Sequence, residues 1–403
     1  MSTSLLYHGF GIHGYRHERC YFEEGKVIFR IAKDQASLRC PCCSSRLVSK
    51  RGGVLRWFQA LPIGKKQIYI ALHVPRVECH HCGIVRQIEI GFADPRRTYT
   101  KSFERYALEL VRHMTIKDVA RHLGVSWDVV KDIQKRYLTK RYSHPRLKDL
   151  KLIAIDEICI GRGHRYLTVV LDLDSGAVVF VGDGKGADAL LPFWKKLKSS
   201  TAKIAAVAMD MSPSYISAVS THLPDATIVF DHFHIVKMFN DKLSELRRDL
   251  QREALEADRD ILKGTRWLLL KNPENLKEEK DERQRLDEAL QINKPLATAY
   301  YLKEDLRQLW QQMNKSTAAV FMDDWIARAR SSGIKMLDHF ADTLDNHREG
   351  ILAYYDFPIS TGPLEGTNNK IKTLQKQAYG FRDTNFFKLK IYALHETKYA
   401  LVG

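Results

Sequence analysis

Hydrophobic and polar positions along the 403 residues change their spacing more than once. Over residues 1–100 the pattern is β-rich. The run from Lys66 to Val74 alternates and is full of β-branched and aromatic side chains, which predicts a strand. Residues 102–142 switch to helical spacing, and Pro145, inside a basic stretch, reads as a linker. From Leu152 onward, short apolar runs predict strands over 152–156, 165–174 and 177–184, the last two joined by a hairpin turn at Asp174-Ser175-Gly176. A helix over 187–198 follows, then strands over 204–210 and 227–231. Residues 236–350 are charged, heptad-like and almost free of strand signal, so they read as a helical block, with more helix over 364–400. The chain therefore reads as multi-domain: a β region, a small α domain, and an α/β domain interrupted by helices.

Composition agrees with a globular chain, at 44% hydrophobic and 28% charged residues, and excludes wholesale disorder. No stretch approaches 18 uncharged apolar residues, which excludes a spanning helix. The charge is unevenly placed. Residues 1–150 hold 28 Lys and Arg against 13 Asp and Glu, a balance of +15, while residues 151–403 hold 36 against 35, a balance of +1. A basic front half next to a near-neutral remainder points to a polyanion, and the lack of a dominant basic amphipathic helix favours nucleic acid over membrane. The first 20 residues lack the apolar run of a signal peptide, so the expected compartment is the reducing cytoplasm.

In that compartment, cysteines in pairs suggest metal. Cys40-Pro-Cys42-Cys43 and Cys79-His-His-Cys82 form two C-x-x-C pairs separated by 35 residues, the spacing of two knuckles closing one tetrahedral zinc, with the strand-like segment between them as a hairpin. With Cys40, Cys43, Cys79 and Cys82 as ligands no position is left for water, so the zinc is structural. Cys42, His80 and His81 are within reach as substitutes.

Residues 116–133 carry a helix-turn-helix pattern. Ala120 is small where two helices cross, Gly124 supplies the turn, Ser126 is placed to cap the second helix, and Val119, Leu123, Val125, Val130 and Ile133 form the seam. Trp127, Asp128, Lys131, Gln134 and Lys135 then face outward as candidate readers of DNA, with Arg136, Lys140, Arg141, Arg146 and Lys148 tracking phosphates. The plain alternative is an αα-hairpin inside a helical domain.

Two carboxylates stand at the predicted ends of apolar strands, Asp156 and Asp210. Ionised groups there need partners, and paired acids on adjacent strands suit a divalent ion that takes hard oxygens. A third acid could come from Glu365, on a helix that Thr361 would cap and Pro363 would open. Glu365, Asn368, Asn369 and Lys372 share one polar face at 3–4-residue spacing. Competing acids are Glu157, Asp172, Asp174, Asp183 and Asp231.

The order zinc ribbon, helix-turn-helix, strand-Asp, strand-Asp, helix-Glu resembles the DDE transposases of bacterial insertion sequences, most closely the ISL-three family, over about residues 40 to 395. Asp231-His-Phe-His234 resembles the Asp-x-x-His signature after the second catalytic Asp; Glu365-Gly-Thr-Asn-Asn-Lys-Ile-Lys372 resembles the segment around the family's glutamate; Tyr379-Gly-Phe-Arg382 resembles the basic element after it. The resemblance implies a ribonuclease H-like fold in which Asp156, Asp210 and Glu365 hold two catalytic Mg²⁺ or Mn²⁺ ions. It implies the division 1–100 (ribbon and β-rich region), 101–148 (helix-turn-helix), 149–235 and 356–403 (catalytic domain), with 236–355 an all-α insertion. The gap of 154 residues between Asp210 and Glu365, against 53 between the two Asp, requires one in any case. His234 would orient the scissile phosphate or pack beneath a strand, and Lys370, Lys372 and Arg382 would clamp phosphates. The implied activity is two-metal cleavage of double-stranded DNA at terminal inverted repeats and strand transfer to target DNA, by a homodimer at the bacterial nucleoid, with no membrane partner. Two rivals share the same modules: a DNA-binding regulator with an inactive domain, and a nuclease that cuts without joining.

Overall fold

In the computed structural model, which describes residues 4–161 and 163–395, contacts divide the chain into two units. Among the described residues, one runs to Ser143 and takes in Thr373–Lys390; the other comprises His144–Lys372 and residues 391–395.

The first unit opens with a short helix α1 (Leu5–His8) and the strands β1 (Arg16–Glu23), β2 (Lys26–Ala32), β3 (Val48–Ile63), β4 (Lys66–Cys79) and β5 (Val85–Gln87). They form one sheet in the order β1-β2-β4-β3, with β5 also on β4. The alternation read at 66–74 is the inner part of β4, whose Ile68, Ile70, Leu72 and Val74 are buried against Phe29, Ile31, Phe58 and Phe92. Three helices follow: α2 (Lys101–Leu110), α3 (Ile116–Leu123) and α4 (Trp127–Tyr142). Phe103, Ala107, Val119, Leu123, Val130 and Ile133 close their core. Thr115 caps α3, accepting from the Asp118 amide at 3.2 Å. Gly124 ends α3 at φ +66°, where any Cβ would be strained and would lie 1.8 Å from Gln67 Nε2, so the turn between α3 and α4 requires glycine.

The second unit begins with β6 (Leu152–Gly161), β7 (Arg165–Asp172) and β8 (Val178–Asp183), then α5 (Ala187–Lys198), β9 (Ala206–Met209), α6 (Pro213–His222) and β10 (Thr227–Phe230). The sheet order is β10-β9-β6-β7-β8, with β6, β7 and β8 antiparallel and β9 and β10 parallel additions to β6. The first strand does not stop at Asp156. It continues to Gly161, because β7 pairs with it through Asp156↔Val169, Glu157↔Thr168 and Cys159↔Tyr166. Helix α6 is not anticipated by the sequence pattern; its serine-rich stretch hides a buried face of Tyr215, Ala218 and Val219 behind a Pro at its start.

From His232 the regular elements up to Leu352 are all helical: α7 (His232–Glu253), α8 (Glu256–Leu262), α9 (Arg266–Leu270), α10 (Glu282–Ile292), α11 (Lys294–Gln308), α12 (Lys315–Ser331), α13 (Lys335–Asn346) and α14 (Arg348–Leu352), with short 3-10 turns between them. The helical run starts four residues before the expected 236, so His234 lies in the first turn of α7. Phe239 packs edge-on to Trp325 and Phe340 at 6.0 and 4.8 Å, in an apolar cluster continuous with the sheet through Phe230 and Ile235. The last elements of the described residues are α15 (Gly362–Gln377) and α16 (Thr384–Tyr392). They fall in the stretch expected to be helical over 364–400, with a break at Gly380, φ +94°; residues 396–400 lie outside the described residues. Among the described residues no helix is long and apolar enough to cross a membrane.

Candidate active site and metal centre

The two cysteine pairs are built alike. The Cys40 amide donates to Ser45 O and the Cys79 amide to Ile84 O, both at 2.9 Å; the Ser44 and Gly83 amides return to Cys40 O and Cys79 O. The Cys42 amide donates to Cys40 Sγ and the His81 amide to Cys79 Sγ, each at 3.4 Å. Each loop turns through positive φ at its fifth residue, Ser44 at 60° and Gly83 at 69°. The antiparallel β3–β4 hairpin, with Val48 opposite Cys79, brings the loops together. The sulfurs of Cys40 and Cys82 are 3.6 Å apart and those of Cys43 and Cys79 3.5 Å, and all four lie within 4.8 Å of one another. Four ligands at about 2.3 Å around a tetrahedral zinc stand about 3.8 Å apart, so the set fits one ion. The Cys43 amide, with the other donors of the knuckle, draws Cys40 down to about 6, while Cys82, against the pull of the Ile84 amide, is pushed up to about 12 by burial and the neighbouring sulfurs. Cys42 is exposed outside this cluster, and His80 is bonded to Ser49 Oγ at 2.6 Å.

The carboxylates meet at one end of the second sheet. β6 and β9 are in parallel register through Ala154↔Ala208; Asp156 lies two residues further along β6, and Asp210 two residues further along the other segment, just past the end of β9. β10 aligns Phe230 with Met209, and the Asp231 amide donates to Met209 O at 3.0 Å, placing a third acid at the same edge. Such an edge, beyond the carboxyl ends of parallel strands, is where ligands bind in open α/β sheets. Burial pushes Asp156 up to about 6, with Asp210 and Glu157 adding to the rise against the pull of the Glu157 amide and His234. Its Oδ1 accepts from the Glu157 amide at 2.7 Å and its Oδ2 from Asn368 Nδ2 at 2.8 Å.

Strand alternation gives the neighbouring acids different partners. Asp156 faces Asn368 and the field of His234, whereas Glu157 points to the other side and accepts from Tyr215 Oη at 3.2 Å. Tyr215 Oη in turn lies 3.1 Å from Thr168 Oγ1. Asp172 holds the β7–β8 turn through Asp174 N and Ser175 Oγ, and Asp183 ends β8. Asp231 is 2% exposed and accepts at Oδ2 from Thr361 Oγ1 at 2.6 Å and from His234 Nδ1 at 3.1 Å. His234 is held above its ordinary range by that bond to Asp231, with Asp231, Asp156 and Asp210 adding their field, so it faces the acids. Asp231 stays below the ordinary carboxylate range because its bonds to His234 and Thr361 outweigh the cost of burial. Thr361 thus spends its hydroxyl on Asp231 and not on a cap, though its carbonyl accepts from the Glu365 amide.

Glu365 is exposed in the first turn of α15, one turn before Asn368, and Lys370 and Lys372 are exposed further along it. Arg382 is exposed between α15 and α16, in the first unit. The four cysteines gather ligand atoms as a tight group; Asp156, Asp210 and Glu365 are not drawn together as closely.

The outward face expected of α4 needs correcting. Gln134 is buried, because it follows Ile133 on the face that also buries Val130 and Leu138. Arg136 is turned inward, bonded to Tyr99 Oη at 2.9 Å and paired with Glu104 at 3.0 Å and Asp132 at 3.2 Å. Lys131 and Lys135 share one carboxylate oxygen of Asp383, at 3.2 and 2.8 Å. Trp127, Asp128 and Arg141 remain on the surface, and Ser126 occupies the cap position of α4 without a side-chain cap bond. The sequence reading missed Asp383, Tyr215 and the partners of Thr361 and Asn368. The one available signal was the shared helix face of Asn368 and Glu365.

A four-cysteine knuckle pair, a helix-turn-helix and a mixed α/β unit thus follow one another along the chain, and the class of protein is a transposase. Residues 153–391 match the family described as "Transposase", residues 88–138 the "Helix-turn-helix domain of transposase family ISL3", and residues 37–82 the "zinc-finger of transposase IS204/IS1001/IS1096/IS1165". The chain belongs to transposase family ISL3. It is 33% identical over 392 residues to the transposase for insertion sequence element IS1001 of Bordetella parapertussis, covering 95% of this chain and 96% of that protein. It is 29% identical over 384 residues to the transposase for insertion sequence element IS1557 of Mycobacterium tuberculosis, covering 89% and 86%. Among solved structures it is similar to the Drosophila P element transposase strand transfer complex, with a TM-score of 0.40, 10% identity, and coverage of 76% of this chain and 94% of that one.

Proposed function

We propose that this transposase binds the terminal inverted repeats of its mobile element and performs Mg²⁺- or Mn²⁺-dependent cleavage and strand transfer of double-stranded DNA, using Asp156, Asp210 and Glu365. The observation that carries the reading is that Asp156 on β6 and Asp210 just past β9 each follow the registered pair Ala154↔Ala208 by two residues, with Asn368 of the Glu365 helix bonded to Asp156. The donor set is chemically suited to hard divalent ions: carboxylates on β6 and just past β9, and a buried amide oxygen without a partner. When bound, two such ions would supply an activated water or 3′-hydroxyl and a stabilised leaving oxygen. The chain's own residues do the rest. The Glu157 amide and Asn368 Nδ2 hold both oxygens of Asp156; Asp231 fixes His234 beside the acids as an orienter of the scissile phosphate; Lys370, Lys372 and Arg382 are offered as phosphate contacts.

In this reading the sheet of the second unit is ribonuclease H-like and the helices between β10 and α15 are an all-α insertion. The ribbon, with zinc on its four cysteines, and the helix-turn-helix hold the element ends from the basic front half of the chain, in a homodimeric complex at the bacterial nucleoid. The test is Asp156→Asn in the full chain, on duplexes carrying the repeats that flank its gene. Metal-dependent cleavage should be lost and DNA retention in gel shifts kept; unchanged cleavage sinks the assignment. Joined products with the native protein separate a transposase from a nuclease that only nicks.

A further inference from the structure

Asn368 is buried at 6% exposure, on the face of α15 that also carries Glu365 one turn earlier. Its contact is unusual for a buried amide. Nδ2 donates to Asp156 Oδ2 at 2.8 Å, and an ionised carboxylate can only accept, so the nitrogen must be the end that faces it. Oδ1 is then directed away from that oxygen. It is buried and has no hydrogen-bond partner. An asparagine kept only to anchor the helix would have its acceptor satisfied, since an unmade bond leaves the full desolvation cost in place. Nearby Thr367 illustrates the ordinary arrangement, its hydroxyl donating to Pro363 O of the same helix at 3.0 Å. Asp156 is also restrained at its other oxygen by the Glu157 amide, which leaves each oxygen a free lone pair in a fixed direction.

We propose that Asn368 serves the ion site with both ends of its amide: Nδ2 orients Asp156, and Oδ1 is a further hard-oxygen ligand for the ion that Asp156 would hold. This rests on the reading of Asp156 as a metal ligand. Partners of ligating carboxylates tune metal affinity by roughly 10- to 100-fold. A structural role and a metal role for Asn368 predict different Mn²⁺ affinities for the near-isosteric, apolar Asn368→Leu.

The experiment measures Mn²⁺ binding to the full-length protein by calorimetry, and its thermal unfolding without divalent ions. For Asn368→Leu, Mn²⁺ should bind about 10- to 100-fold more weakly; its metal-free melting temperature reports the balance between the unpaired Oδ1 removed and the bond to Asp156 lost, and so checks only that the variant is folded. Asn368→Asp, which keeps an oxygen at the position, should recover most of the affinity. Unchanged Mn²⁺ affinity in Asn368→Leu, or no recovery in Asn368→Asp, overturns the proposal. If Asn368→Leu fails to fold, Asn368→Asp and Asn368→Ser decide it by the same comparison, Asn368→Ser at native affinity being a refutation. Asp156→Ala is the control: if it leaves Mn²⁺ affinity unchanged, the underlying site reading has failed, whereas lost binding there with native binding in Asn368→Leu overturns only the role of Asn368.

Discussion

Asp231 joins two segments that are 130 residues apart, and Asp231→Asn tests whether that bond holds the Glu365 helix in place. The carboxylate is 2% exposed, follows the end of β10, and accepts from Thr361 Oγ1 at 2.6 Å and His234 Nδ1 at 3.1 Å. Thr361 is the residue whose carbonyl receives the Glu365 amide, so loosening it loosens the start of α15. Hydrogen bonds to a buried charged group contribute about 1.5–3 kcal/mol each. Asparagine keeps the size and one acceptor, but it replaces the charged acceptor on which both donors converge. Losing one such bond should make opening of 361–368 cheaper by about that amount, so exchange there should run roughly 10- to 150-fold faster. Hydrogen exchange followed by mass spectrometry reads this directly, with peptides from β7 and β8 as the unchanged reference. Equal exchange of 361–368 in the two proteins refutes the clamp. The pH dependence has a defined sign. The Asp231 contribution is present above the ordinary carboxylate value and is lost as pH falls through its lowered pKa. The His234 contribution is present below the ordinary imidazole value and is lost as pH rises through its raised pKa. The difference between native protein and variant should therefore be largest between about pH 4 and 6.5.

Cys79→Ser should lower bound zinc by about one equivalent per chain, since the site needs all four sulfurs; metal analysis with zinc retained would refute the centre. Ser44 occupies the backbone position that Gly83 fills in the other knuckle, at φ 60°, so Ser44→Gly should raise stability by about 1 kcal/mol and slow zinc loss to a chelator. A lower melting temperature would show that the Ser44 side chain matters more than its strain. Asp383→Asn should release Lys131 and Lys135 and steepen the salt dependence of duplex DNA binding, measured by anisotropy, by about one to two counterions. An unchanged slope would remove these lysines from the DNA surface.

Local chemistry was legible wherever the partners lie close in the chain. Each C-x-x-C loop makes its own turn and amide bonds, so the knuckles could be read from spacing, and Gly124 needed only its own φ to mark the end of α3. Apolar runs gave the strands of the second sheet because each is buried regardless of its neighbours. The sequence could not separate Asp156 from Glu157, since alternation puts them on opposite faces but does not say what covers each face. Nor could it orient α4: Gln134 and Arg136 look like surface residues until Leu138, Tyr99 and Glu104 are placed around them.

By itself, then, the sequence determined the modules, their order and the candidate acids, because these depend on residue type and on spacing of a few positions. Only the tertiary structure decided which side chains meet: Asn368 with Asp156 across 212 residues, and Thr361 with Asp231 across 130. Such contacts depend on strand order, register and helix rotation, which are set by burial of the whole core and not by any local stretch of chain.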